Sequence, residues 1–194
     1  HRLKDFINSF SGNQVACKKW LVEQLLLVLK ERPDLPIKKI TILGSWYGNV
    51  IVPLLVDNVK GIEDIHLIDM DEDALDIGRK FLGRKYKNVN INYIKEDINF
   101  TDFTEKYTNI CINTSCEHML PMSSISFNND NHVLYILQSN DMTHEREHIN
   151  CVKDYYELNE QSNITKPYYY GRLKLKGRDD IEYKRFMVIG KRDG

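Results

Sequence analysis

The chain has 194 residues, 42% of them hydrophobic, which is enough for one well-packed domain and too few for two comfortable ones. Its 27 Lys and Arg stand against 28 Asp and Glu, so no overall field draws it onto nucleic acid or an anionic membrane, although a local patch stays open. Cys17, Cys111, Cys116 and Cys151 are scattered with no Cys-x-x-Cys pair, which argues for reduced thiols and a cytoplasmic setting over a disulfide framework or structural zinc.

In chain order, the first segment is polar with two phenylalanines, Phe6 and Phe10, and Ser11-Gly12-Asn13 offers capping chemistry for a helix from Gln14 to about Lys30. Val15, Trp20, Leu21, Leu25, Val28 and Leu29 share one broad face of it, and Pro33 and Pro36 close it off. The apolar runs Leu25 to Leu29 and Val50 to Val56 are too short to cross a bilayer, so no membrane span is expected. Ile40, Ile42 and Leu43 then read as a strand buried on both faces, stopping at a turn bracketed by Gly44 and Gly48. Such a turn is either a tight strand-to-helix connection or a place where a nucleotide approaches the backbone.

Asn49 to Val56 reads as a short helix, and Asp64 to Asp71 as a second apolar strand ending in acid. That acid lies about 20 residues beyond the glycine turn, the spacing expected of a ribose-binding carboxylate. A helix starts at Asp71 or Glu72 and runs to Gly83, a predicted cap. Val89 to Ile94, Thr108 to Asn113 and Val133 to Leu137 are further strands, with a turn-rich connection at 128–131. This alternation implies a mostly parallel sheet with right-handed crossovers. Val152, Tyr155, Tyr156 and Leu158 form the packing face of a late helix. Tyr168 to Lys176 and Ile181 to Ile189 then make a hairpin around 177–180. Arg172, Lys174 and Lys176 give it a basic outward face, read first as a solvated edge that discourages strand pairing and second as a docking face for an acidic substrate.

Ile42-Leu43-Gly44-Ser45-Trp46-Tyr47-Gly48 resembles the first motif of class I S-adenosylmethionine-dependent methyltransferases, and Leu67-Ile68-Asp69-Met70-Asp71 is similar to their second. Tyr93 to Ile98 and Ile110 to Met119 correspond to the third and fourth, so the resemblance spans roughly residues 38 to 190. It implies a three-layer αβα sandwich of Rossmann-like type, with a seven-stranded, mostly parallel sheet and an antiparallel C-terminal hairpin. Residues 1–37 would form a helical lid or flank, with Gln14 and Lys18 as contacts, and 38–194 the S-adenosylmethionine-binding unit.

The resemblance also implies site roles. Gly44, Ser45, Trp46, Tyr47 and Gly48 would form the cofactor loop, and Asp69 would take the ribose hydroxyls. Asp97 would take the adenine amino group, Met70 or Ile98 would cover a ring face, and Asn113 would converge there from the fourth strand. The run Asn113 to His118 is similar to the acid-histidine pair of small-molecule methyltransferases. His118 is thus a candidate general base, with Glu117 orienting it or touching the cofactor. Each acid has a plain alternative as a helix cap or loop residue, and His118 as the cap of a following helix. Two departures stand out. Trp46 occupies the family's usual middle-glycine position, and Ile42 the place where an acid often precedes the first glycine.

The Asn/Asp-Pro-Pro-aromatic signature of nucleic-acid amino-methyltransferases is absent from Asn113 to Cys116, so a small molecule or protein is the expected methyl acceptor. His144-Glu145-Arg146-Glu147-His148 matches His-Glu-x-x-His, which on a helix would present two histidines to zinc. Its surroundings supply little apolar face for such a helix, so these histidines are read as solvent-exposed or substrate-facing and no metal is assigned. The rival functions are a non-catalytic adenosine-ligand module and an enzyme that cleaves or otherwise uses the same cofactor. The sequence leaves the oligomeric state open.

Overall fold

The computed structural model describes residues 2–177 and 180–193. Two helices lead the chain, α1 (Arg2–Asn8) and α2 (Gly12–Glu31). The sequence suggests no helix as early as α1, which buries none of its own side chains. Phe6 nonetheless stacks edge-on against Tyr47, with centroids 5.2 Å apart, so aromatic contact carries the segment to the glycine turn. Helix α2 buries Cys17, Leu21, Val22, Leu25 and Val28, positions spaced three to four apart on one face. Ser11 stands at its N-cap but makes no side-chain cap bond.

The alternating part follows as β1 (Lys39–Leu43), α3 (Ile51–Asn58), β2 (Asp64–Asp69), α4 (Glu72–Leu82), β3 (Lys85–Tyr86), β4 (Val89–Lys95), β5 (Ile110–Asn113) and β6 (Leu134–Asn140). A short helix α5 (Tyr155–Gln161) precedes the hairpin β7 (Lys166–Lys176) and β8 (Glu182–Lys191). Pro53 lies in the first turn of α3, where proline's fixed φ is compatible with the helix. Asp71 caps α4 by accepting from Ala74 N, and Gly83 ends the helix at φ 77°, as the cap chemistry of both residues predicts. Of the hairpin turn expected at 177–180, residues 178 and 179 lie outside the described residues.

Among the described residues the sheet has eight strands in the order β3-β4-β2-β1-β5-β6-β8-β7. The core five, β4, β2, β1, β5 and β6, are parallel, and β8 runs antiparallel to β6. The expected seven-stranded sheet is therefore correct in kind, and the extra strand is the two-residue β3, paired antiparallel to β4 at the edge. A pair that short has no periodicity to show in sequence. The β7 edge carries Arg172, Lys174 and Lys176 at exposed, alternate positions, which fits the reading of a charged edge that resists further pairing.

Chain order reverses between β1 and β5: β2 and β4 lie on one side of β1, β5 and β6 on the other. In an open parallel sheet this is where the strand ends splay and a crevice opens. Two apolar clusters cover the sheet, one built on α2, α3 and α4 with Ile40, Ile42, Ile65 and Leu67, the other around Leu43, Phe103, Tyr135 and Val188. Both consist of buried, mainly aliphatic and aromatic residues, so the strand ends that frame the crevice are closely packed.

Gly78 marks where α4 meets the turn after β1: a Cβ there would stand 2.3 Å from the Tyr47 carbonyl oxygen. Replacing a helical glycine by alanine normally stabilises by about 1 kcal/mol, whereas overpacking against backbone costs about 1–3 kcal/mol. Gly78→Ala is expected to lower the unfolding free energy in urea by up to about 2 kcal/mol. Gly12→Ala, with open space at its Cβ position, is the control and should show no such loss.

Candidate functional site

A cavity of about 640 Å³ opens beyond the carboxyl ends of β1, β2 and β5, in the size range of small-molecule sites. Its wall takes in Gly44 to Gly48, Asp69, Met70, Asp97, Ile98, Glu117 and His118. All eleven were expected from the sequence, spread over more than seventy positions, and the strand ends bring them together. Gln14 and Lys18 of α2 also reach it, so the helical flank does touch the site.

The loop 44–48 adopts left-handed backbone three times, at Gly44 (φ 61°), Trp46 (φ 51°) and Gly48 (φ 66°). Trp46 thus accepts the conformation for which glycine is usually used, at a cost of about 1–2 kcal/mol. The carboxylate of Asp69 offsets part of it: Trp46 N donates to Asp69 Oδ2 at 2.7 Å, and Asp71 N donates to Oδ1 at 2.9 Å. Burial pushes the Asp69 carboxyl up, while those main-chain donors hold it down. A carboxylate has about four lone-pair sites, so acceptor capacity remains at the cavity wall. The Ser45 hydroxyl, on the same wall, is buried and has no partner among the described residues. A buried hydroxyl left so is unfavourable unless a ligand completes it.

Asp97 accepts from Asn99 N through Oδ1, forming a tight turn that sets Ile98 against the cavity. Met70 is largely exposed there. Asn113 departs from expectation. It is fully buried, donates to the sulfurs of Met119 and Met122 and accepts from Ser115 N, so it shapes the loop after β5 and does not line the cavity. A side chain at the end of a central strand can turn inward as easily as outward, and only packing decides which.

Glu117 and His118 sit on a single helical turn, Cys116–His118, yet have different surroundings. Glu117 is buried, and Oε1 receives Asn140 Nδ2 at 2.9 Å and Arg185 Nη1 at 3.2 Å. Arg185, from β8, donates also to Gln138 and to the Thr114 carbonyl. His118 is exposed at the cavity, and its Nδ1 stands 3.0 Å from the Glu147 carbonyl oxygen. Glu117 therefore does not orient His118 through this nitrogen; the segment after β6 does. Asn140 and Arg185 went unnoticed in the sequence, where the only signal was a polar ending to the otherwise apolar run of β6.

The His144–His148 match forms no helix. It lies in a turn-rich segment, with Glu145 N bonded to the Met142 carbonyl and His148 N to that of Glu145. His144 faces Glu145 at 3.6 Å and is exposed, whereas His148 reaches the cavity and meets His118 edge to face, centroids 4.7 Å apart. A zinc-hydrolase helix is excluded on this geometry.

No family model matches the chain, and no curated protein matches it by sequence. Solved structures do match. The N-methyltransferase NodS from Bradyrhizobium japonicum WM9 superposes with a TM-score of 0.64 at 10% identity, covering 92% of this chain and 98% of NodS. A Leishmania major S-adenosylmethionine-dependent methyltransferase gives 0.62 at 9% identity, covering 94% and 75%. Magnesium protoporphyrin IX methyltransferase from Synechocystis PCC 6803, with S-adenosylhomocysteine bound, gives 0.58 at 11%, covering 91% and 84%. The chain has the class I methyltransferase fold. No helix among the described residues is long and apolar enough to cross a membrane.

Lys18 is a cavity residue with a large basic shift: burial first, then the nearby Arg185 charge, lower its ammonium from 10.5 to about 8, while Cys17 and Glu117 act the other way. The folded state thus binds the Lys18 proton less tightly than the unfolded chain, so stability relative to Lys18→Met should rise as pH climbs from about 8 to 10.5. Because the side chain keeps partial solvent contact, the gain is expected at about 1–2 kcal/mol. Urea unfolding of both proteins across that range checks it.

Proposed function

We propose that the cavity binds S-adenosylmethionine and that the protein transfers its methyl group. The observation that carries this reading is the Asp69 carboxylate, held beside the strand-order reversal by the Trp46 and Asp71 N–H groups with acceptor capacity left for ribose hydroxyls. The residues fit the rest of the ligand. Ser45 offers an unpartnered hydroxyl, Asp97 keeps Oδ2 for an amino group, and Ile98 and Met70 supply apolar contact for a ring. Lys18, in its protonated form, suits the carboxylate of the methionine end. The fold shared with structures that hold S-adenosylhomocysteine supports the same choice.

Transfer is an in-line displacement. The acceptor's lone pair forms the new bond to the methyl carbon, and the carbon–sulfur bond breaks. Its electron pair neutralises the sulfonium, leaving S-adenosylhomocysteine, and the acceptor's proton passes to a base or to water. The protein's part is mainly alignment and the exclusion of water. Asp71, Glu96 and Glu117 are paired with Arg2, Lys106 and Arg185, but Asp69, Asp97, Glu145 and Glu147 along the wall favour a cationic ligand and oppose a phosphate backbone. We therefore assign the acceptor to small molecules or protein side chains rather than nucleic acid. Glu117 and His118 line the same cavity, which supports assigning them to the methyl-delivery side.

Calorimetric titration with S-adenosylmethionine and S-adenosylhomocysteine tests the cofactor. Binding near micromolar strength is expected, about 8 kcal/mol, weakened about 100-fold or more in Asp69→Ala through loss of charge-assisted bonds worth about 1.5–3 kcal/mol each. No heat from either ligand would sink the reading. Binding with no S-adenosylhomocysteine formed over a panel of small-molecule and peptide acceptors would favour a non-catalytic module instead.

A further inference from the structure

Glu117, His118 and His148 each bring one ligand atom to within 4.8 Å of the others, and no other such trio occurs among the described residues. Two independent features make this more than proximity. The first is the protonation pattern of the rings. His118 Nδ1 lies 3.0 Å from the Glu147 carbonyl oxygen, and His148 Nδ1 lies 3.0 Å from that of Met142. A carbonyl oxygen only accepts, so Nδ1 carries the proton on each ring and Nε2 keeps its lone pair. Metal-bound imidazoles are prepared in this way, with the remote N–H tied to a carbonyl or carboxylate that fixes tautomer and orientation.

The second is the carboxylate. Asn140 and Arg185 occupy Glu117 Oε1, while Oε2 is buried and has no partner. A buried carboxylate oxygen left alone is costly, and a cation is the partner that suits it best. Asn140 and Arg185 then act as outer-shell groups that hold the ligand in place. The segment carrying His148 is anchored beside it, since Asn150 N donates to the Glu117 carbonyl oxygen and Val152 N to that of Asn140.

We propose that Glu117, His118 and His148 form a site for a divalent first-row transition ion, zinc or a close relative, with open coordination positions facing the cavity. Two imidazoles and one carboxylate are the donor set of ions that keep a position free for water or substrate. The ion site stands on its own geometry. Its role rests on the methyl-transfer reading: an acceptor oxygen or nitrogen bound at an open position would pass its proton to solvent water more readily, so His118 serves as a ligand and not as the base. His144, the other half of the His-Glu-x-x-His match, lies outside the trio.

The test is cobalt titration of the metal-stripped full chain, followed by visible absorption, with zinc retention after dialysis measured in parallel. One equivalent of either ion is expected, with a cobalt band typical of low coordination number. His148→Ala and His118→Ala should each weaken binding by more than about 100-fold, beyond the 10–100-fold loss usual for an outer-shell partner. His144→Ala should leave it unchanged. Thermal unfolding shows whether each variant is folded, and both imidazole variants sit outside the core clusters. Absence of binding by the native chain, binding that survives both imidazole variants, or binding lost in His144→Ala would each overturn the assignment. Because metal content and absorption are the readouts, a negative result here is distinct from failure of the cofactor titration.

Discussion

A chain leaving a central parallel strand must turn, start a helix and still present main-chain groups to a ligand within a few residues. Here that constraint is met by the pairing of Asp69 with the N–H of Trp46. The carboxylate comes from β2 and the N–H from the loop after β1, so one charge-assisted bond ties two neighbouring strand ends together. The left-handed Trp46, the close packing of Gly78 on the Tyr47 carbonyl and the stacking of Phe6 on Tyr47 all depend on the loop being held there. Acid at this position is thus structural before it is functional. The same oxygens that fix the loop keep the lone pairs a ribose could use.

The opposite end of the cavity has a different physical basis. Glu117, Arg185, Asn140 and Gln138 form a buried polar cluster drawn from the loop after β5, from β6 and from β8. Buried ion pairs add little stability against apolar substitutes, because desolvation cancels most of the attraction. A cluster of this kind, with one carboxylate oxygen left unmatched, is therefore better understood through what it positions than through what it stabilises. The antiparallel β8 makes this possible, since it brings Arg185 against the end of β6.

Much of the fold was legible because its signals are local. Buried strands read as apolar runs, Asp71 and Gly83 as caps, and the alternation of elements as a parallel sheet. The turn after β1 and the acid that meets it were legible for a related reason, since Gly44, Gly48 and Asp69 need their residue types for backbone geometry or charge. Asn113 was misplaced because rotamer choice at a strand end depends on Met119 and Met122, which no pattern pairs with it. Helix α1 and strand β3 were too short or too polar to announce themselves.

The His-Glu-x-x-His match shows the limit most clearly. As a string it suggests two histidines on one helical face, but the segment is not helical, and His148 pairs instead with Glu117 and His118 some thirty positions earlier. By itself the sequence determined the class of sheet, the turn that can take a nucleotide and the acid that answers it, because those rest on periodicity and on the conformational needs of single residues. Only the tertiary structure decided which polar groups share the far end of the cavity and which nitrogen of each histidine is free, because both depend on contacts between segments distant in the chain.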